Sequence, residues 1–267
     1  MPEPRDIGSE NPPPSVELER ATLLFGPKTI LDGFSLSVPP GAKISLLGEN
    51  SSGKSSILKV MVGLARPTSG RVLLFGKDPA AVSAAELDRL RRRVGMQFQA
   101  GAMFDSLTVT ENLVLAGREG TRGRAGGKAR ARDIQELLES VGLAHAARRR
   151  PSELSGGMRK RAALARALIA EPELALFDEP TAGLDPVTAN LIINLLKDLS
   201  ARRRAAMILA TSDVDVARRF SDDLILVRKG QIAARGTIGH LLASTDPYVT
   251  NYLSRFKLVD RALAVEG

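Results

Sequence analysis

Gly48-Glu49-Asn50-Ser51-Ser52-Gly53-Lys54-Ser55 has the spacing GxxxxGK[ST]. Such a loop wraps with successive backbone N–H groups turned inward onto phosphates, a path open only to small, permissive residues. Lys54 would reach the β- and γ-phosphates, and the Ser55 hydroxyl would ligate Mg²⁺. A helix beginning near Ser55 and Ser56 would turn its positive end toward the same anion. The plain alternative is a chance glycine turn before a helix. Context favours the phosphate loop, because Lys43 to Leu47 reads as a buried strand and Ser56 to Leu64 as an apolar-faced helix.

A second group of reactive side chains lies far along the chain. Leu174-Ala175-Leu176-Phe177-Asp178-Glu179 is an apolar strand ending in two acids. Alternation along a strand would put the two carboxylates on different sides. Asp178 could then hold Mg²⁺ while Glu179 polarises an attacking water, the two needs of phosphoryl transfer to water. Alone, Asp-Glu before Pro180 could equally be an exposed acidic turn; beside a phosphate loop, the hydrolytic reading is preferred.

These residues need a scaffold. Val16 to Leu18, Ala21 to Phe25, Leu36 to Val38 and Arg71 to Phe75 read as further strands, with turns at Gly26-Pro27 and Pro39-Pro40-Gly41. Residues 84–166 change texture. Glu86 to Arg93, Thr110 to Ala116, Asp133 to Val141 and Gly157 to Ala170 have helical spacing, so the stretch reads as a helical insertion. Met207 to Thr211 and Leu224 to Arg228 are buried-strand patterns, Pro186 to Ser200 is a long helix, and the chain from Thr237 looks helical. The order implies an α/β domain. Residues 1–15 read as a disordered lead-in, and 117–132, rich in Gly and Arg, as a flexible basic loop: a solvated linker, or a contact for acidic headgroups or a partner.

Composition narrows the classes. The 267 residues are 43% hydrophobic, enough for a sizeable core, and contain no cysteine, which excludes disulfides and thiolate metal sites. Thirty-eight Lys and Arg against thirty Asp and Glu give +8, suited to an anionic partner or to a merely solvated basic surface. No run of eighteen apolar residues occurs, so any membrane role is expected to be peripheral.

Leu154-Ser155-Gly156-Gly157-Met158 precedes a basic, apolar helix. Here the chain resembles the ABC ATPases, whose signature motif has this form and lies shortly before the acidic strand. Ser155 and the N–H groups of Gly156 and Gly157 would form a second cradle for a γ-phosphate. A second cradle makes sense on an opposing subunit, with two copies sandwiching two ATP molecules. The resemblance covers about Val16 to Thr245. It implies the α/β fold of a P-loop NTPase: a mixed sheet with an antiparallel β edge, core 16–83 and 167–245, a helical signature subdomain 84–166, and a C-terminal extension 246–267. It implies ATP and Mg²⁺ as cofactors, with Gly48 to Ser56 on the nucleotide. Gln99 resembles the Q-loop glutamine that touches Mg²⁺ and senses the membrane partner, and Asp185, in Gly183-Leu184-Asp185-Pro186, the D-loop acid that communicates across the dimer. Phe25 stands where the family stacks an aromatic ring on adenine, a core aromatic being the alternative.

A narrower likeness is visible in Phe98 to Asn112 and in Pro151 to Arg161. Both are similar to the ATPases of MCE-protein lipid transporters, the Mla type. That similarity implies a phospholipid-handling complex of a double-membraned bacterium, with the chain peripheral on the cytoplasmic face of the inner membrane. It implies a second ABC subunit, transmembrane permease subunits and an MCE-type lipid-binding protein as partners. Ala102-Met103-Phe104 would form the groove for a permease helix, or simply a buried loop. Nucleic acid is not expected, because ABC proteins of translation usually carry two cassettes in one chain and this chain has one.

One position departs from the family. Where a histidine normally follows the strand, the chain reads Thr211-Ser212-Asp213. Ser212 is shorter and always neutral. His145 and His240 are expected at the surface rather than as substitutes. Binding should persist with slowed turnover. The competing functions are an ATP-gated clamp or regulator with incidental hydrolysis, or an ABC importer ATPase for another substrate.

Overall fold

The computed structural model describes residues 12–98, 102–119 and 131–254. Gln99, most of the basic segment 117–132, most of the N-terminal lead-in and the end of the C-terminal extension lie outside the described residues. Two sheets form the α/β framework. A three-stranded antiparallel sheet has the order β2-β1-β4, from β1 (Val16–Phe25), β2 (Lys28–Val38) and β4 (Ser69–Leu74). A six-stranded sheet has the order β5-β6-β7-β3-β8-β9. Its strands are β3 (Lys43–Leu47), β5 (Val94–Gln97), β6 (Leu174–Asp178), β7 (Ala206–Thr211), β8 (Asp223–Arg228) and β9 (Gln231–Gly236). All its pairings are parallel except β8 with β9.

The parallel strands are buried on both faces, as their unbroken apolar runs require. Alternation divides them between two cores. Leu174 and Leu176 pack with α1 (Lys54–Met61) and the antiparallel sheet, while Ala175 and Phe177 face α5 (Gly156–Leu168) and α6 (Pro186–Arg203). Register matters most for function. Leu47 pairs with Thr211 and Asp178 with Ala210, so β3, β6 and β7 end at one level. The phosphate loop, the two acids and Ser212 therefore leave the sheet at a common edge, where open α/β sheets place ligands.

Local chemistry explains several differences from the sequence expectations. The break between Leu18 and Ala21 is a bulge inside one strand, with Arg20 at φ 44° and its N–H donating to Ser35 Oγ at 2.8 Å. The stretch expected to be helical, 84–166, holds α2 (Ala84–Arg91), α3 (Val109–Glu119), α4 (Ala131–Ser140) and α5, but also β5, the edge strand of the main sheet. A four-residue strand containing Gly95 is too short to show a period. The short α7 (Val214–Phe220), capped by Asp213, and the half-exposed β9 were not expected either. The helical end is present as α8 (Ile238–Leu242) and as α9 over 247–254. Among the described residues no helix is long and apolar enough to cross a membrane.

At Gly95 the helical layer comes close against the sheet. A Cβ there would stand 2.1 Å from the Ala167 carbonyl oxygen and 2.8 Å from Pro172 Cγ. Backbone cannot yield as a flexible side chain can. Gly95→Ala is expected to cost about 3 kcal/mol, lowering the melting temperature by roughly 6–12 °C in a thermal melt.

Candidate nucleotide site

The loop after β3 is built by two glycines with different duties. Gly53 sits at φ 111°, a conformation that side chains resist, and begins α1 without any side-chain cap. The first N–H groups of α1 are therefore not spent within the helix or on a cap. Gly48 serves through close approach: a Cβ would stand 2.5 Å from the Val227 carbonyl oxygen and 2.6 Å from Ser52 Oγ. The loop thus folds tightly against β8, and Ser52 N–H closes it by donating to the Glu49 carbonyl at 3.2 Å. Glu49, Asn50 and Ser51 are exposed at its crest.

Lys54 is buried and curls back over the loop. Its Nζ donates to the Gly48 carbonyl at 2.7 Å and to the Glu49 carbonyl at 3.0 Å, and lies 3.9 Å from Glu179 Oε1. Burial pushes its pKa down, opposed by the charges of Glu179 and Asp178. Beside it, Ser55 Oγ donates to Asp178 Oδ1 at 3.0 Å. The two segments noticed separately in the sequence, more than a hundred residues apart, meet through consecutive pairs.

Strand alternation does not set the two carboxylates apart as expected. Strand β6 ends at Asp178, and Glu179 is left-handed, φ 49°, with its N–H held by the Ala210 carbonyl at 2.9 Å. That turn carries the Glu179 carboxylate back to the same cleft as Asp178, so both bear on Lys54. A non-glycine residue in this region costs of order 1–3 kcal/mol and persists where surroundings over-determine it. Glu179 Oε2 accepts from Thr211 Oγ1 at 3.3 Å, whereas Oε1 is buried without a hydrogen-bond partner. Burial raises its pKa, against the pull of Lys54, the Thr211 hydroxyl and the Ser212 N–H. Ser52 Oγ is likewise buried without a partner. Unspent helix N–H groups, a cationic cap and an unpartnered Glu179 oxygen fit a phosphate and a water.

Ser212 is exposed immediately beyond β7, and Ser56 lies half-buried in the first turn of α1. Phe25 is 81% exposed at the tip of the β1–β2 hairpin, which does not support the alternative of a core aromatic. Ser155 is spent on capping α5, accepting from Met158 N–H at 3.3 Å; Leu154 is buried behind it and Gly156 opens to solvent. No hydrogen bond or ion pair among the described residues joins this motif to the phosphate loop; Gly157 instead abuts Leu184. Asp185 caps α6, accepting from Thr188 N–H at 2.9 Å and Thr188 Oγ1 at 2.6 Å. A cleft of about 400 Å³ runs between Glu179, Gly183, Asn190 and Ser212. His145 and His240 are exposed.

Sequence reasoning passed over three residues near this edge. Thr211 orients Glu179, and its place as the last residue of a buried strand was the available signal. Gln97 ends β5 fully buried, its Nε2 3.0 Å from the Phe98 carbonyl and 3.5 Å from the Asp178 carbonyl. Tyr252 of α9 donates its hydroxyl to the Ser212 carbonyl at 2.9 Å, and no local pattern could have shown it.

The pattern of the family described as ABC transporter matches residues 31–182. The chain belongs to the ABC transporter family. It is similar to the "Probable ribonucleotide transport ATP-binding protein mkl" of Mycobacterium leprae, 37% identical over 90% of this chain and 69% of that one. It is also similar to the "Methionine import ATP-binding protein MetN" of Brucella abortus, 35% identical over 90% of this chain and 66% of that one. The chain thus spans about two thirds of the length of these relatives. A dimeric bacterial ABC transporter cassette superposes with a TM-score of 0.78 at 30% identity, covering 84% of this chain and 98% of that one. The post-hydrolysis state of the same cassette, bound to ADP and phosphate, superposes at 0.77 and 31% identity over the same shares of the two chains. This ABC cassette is an ATPase.

Gly48→Ala tests the close approach in the loop. Collision with the Val227 carbonyl should displace the loop from β8. ATP affinity, measured calorimetrically, is expected to fall at least about tenfold, with a stability loss of about 1–3 kcal/mol.

Proposed function

We propose that the chain is the ATP-hydrolysing subunit of a phospholipid ABC transporter. Two copies would close over two ATP molecules and drive a separate permease and an MCE-type lipid-binding partner at the cytoplasmic face of the inner membrane. The observation that carries the hydrolytic part is the cluster of Lys54, Ser55, Asp178 and Glu179 at the aligned ends of β3 and β6. Lys54 would exchange the Gly48 and Glu49 carbonyls for the β- and γ-phosphate oxygens. Phe25 would stack on adenine. Glu179 would accept a proton from water as the water oxygen bonds to the γ-phosphorus and the bond to the β,γ-bridging oxygen breaks, releasing ADP and phosphate.

Ser55 and Asp178, already hydrogen-bonded, form a suitable hydroxyl–carboxylate pair for Mg²⁺, with Gln99 as a further oxygen donor. Bound there, Mg²⁺ would supply charge neutralisation on the phosphate oxygens. The exposed start of α5, with Ser155, Gly156 and Gly157, would face the γ-phosphate held by the other copy. Asp185, whose carboxylate caps its own helix, would act across the pair by placing the 183–185 backbone.

The lipid cargo rests on the likeness of Phe98 to Asn112 and of Pro151 to Arg161 to Mla-type ATPases. The named relatives carry other cargoes, ribonucleotide and methionine. One side chain ties together the segment 104–112, which would meet the permease. Asn112, fully buried, accepts from Phe104 N–H at 2.8 Å and donates to the carbonyls of Phe104, Leu107 and Thr108 at 3.0–3.2 Å. Phe104 is thereby left half-exposed, with the Arg166 guanidinium 5.4 Å from its ring. An apolar ring held outward beside a 230 Å³ groove between α2, α3 and α5 suits an incoming permease helix.

Ser212 favours a second reading, a clamp closed by ATP in which hydrolysis is incidental. Loss of the histidine contact would cost about 1.5–3 kcal/mol, roughly ten- to a hundredfold in rate. Ser212→His is therefore expected to raise kcat by about that factor in a steady-state phosphate-release assay. Glu179→Gln separates motor from clamp in the membrane complex. Hydrolysis and lipid movement between labelled vesicles should both stop while ATP still binds. Lipid movement that continued without hydrolysis would contradict the motor. Lipid analysis of the complex purified with its partners tests the cargo, which is expected to be phospholipid.

A further inference from the structure

The helix α9, over 247–254, packs beside the site on β3 and β8. Asp246 starts it by accepting from the N–H groups of Tyr248 and Val249 at 2.8 and 3.1 Å. Val249 and Leu253 are fully buried with Leu47, Ala217, Leu224 and Leu226. Leu47 is the residue directly before the phosphate loop, so α9 packs on the strand that feeds it. The Arg228 guanidinium lies 4.4 Å from the Tyr248 ring, and the Tyr248 and Tyr252 rings sit 6.4 Å apart. The helix is thus fixed at three points: the apolar floor, the end of β8 and the loop after β7.

The third point has chemical meaning. The Tyr252 hydroxyl donates to the carbonyl of Ser212 at 2.9 Å. The amide N–H of Ser212 acts on the Glu179 carboxylate from the other side of the same residue. Next to it, Thr211 Oγ1 donates to Glu179 Oε2 at 3.3 Å and accepts from Asp213 N–H at 3.1 Å. Ser212 thus links the two: its carbonyl is held by Tyr252, and its amide bears on Glu179, 73 residues before that tyrosine. Burial raises the tyrosine pKa well above its ordinary value, so the hydroxyl keeps its proton and remains a donor.

We propose that Tyr252 is a positioning residue for ATP hydrolysis, holding the 211–213 loop so that Thr211 and the Ser212 amide keep Glu179 aimed at the attacking water. The inference rests on the reading of Glu179 as the residue that takes the proton. A loop carrying a short serine has no long side chain of its own reaching toward the phosphate, and an outside anchor fixes its backbone instead. Tyr252 touches neither substrate nor water in this role.

The test is Tyr252→Phe in the full chain, purified with its membrane partners, beside Tyr248→Phe and Glu179→Gln. Tyr252→Phe keeps the ring and its packing and removes only the hydroxyl. Its kcat is expected to fall about tenfold while KM for ATP and ATP affinity stay within about twofold. The melting temperature should match that of Tyr248→Phe, which is expected to turn over normally. Unchanged kcat in Tyr252→Phe, or a fall matched by equal changes in KM and melting, overturns the positioning role. Should Glu179→Gln retain turnover, the assignment of Glu179 itself fails; should it be inactive while Tyr252→Phe is normal, only the role of Tyr252 fails.

Discussion

The ammonium group of Lys54 is removed from bulk water, and the carbonyls of Gly48 and Glu49 with the carboxylates of Asp178 and Glu179 replace that solvation. Two features of the fold make this placement possible. The carbonyls are available because Gly48 lets the loop fold tightly on β8. The carboxylates are available because β6 ends level with β3, with β7 paired between them. Burying a cation beside two anions is tolerable only where geometry satisfies each of them, and here Glu179 is not fully satisfied. A polyanion with its own metal ion would relieve that arrangement, and binding energy is naturally directed to such a place.

The left-handed backbone of Glu179 is the second constraint. An ordinary continuation of β6 would send its side chain to the opposite face from Asp178. The turn brings both acids to one cleft with distinct tasks, Asp178 on Ser55 and Glu179 facing Lys54 and Thr211. The strain is held by the bond from Glu179 N–H to Ala210 and by the loop after β7. The same loop is fastened from α9 by the Tyr252 hydroxyl. On the proposed reading, the signature motif is the complement: a capped helix start, open to solvent, with no task at its own chain's phosphate loop.

Much of the site was legible in the sequence because its elements are local. A glycine loop between strand and helix, and an apolar strand ending in Asp-Glu, announce themselves by residue type and spacing, and the structure joins them through Ser55–Asp178. The expected α/β fold with its antiparallel edge and helical subdomain is present. What escaped was short or non-local. Strand β5 has four residues, α7 has seven, and β9 lacks a buried run. The separation of Asp178 and Glu179 by alternation failed because alternation stops where the strand stops. Tyr252 reaches Ser212 across 40 residues, a contact set up by tertiary packing such as that of Val249 and Leu253 on Leu47.

The buried lysine can be tested most directly by calorimetric titration of Mg²⁺-ATP into the chain and into Lys54→Ala at the same salt and metal concentration. If its ammonium trades loop carbonyls for phosphate oxygens, the substitution weakens binding at least about tenfold in a protein that still melts cooperatively. Equal affinity in the two proteins would contradict that placement of the triphosphate.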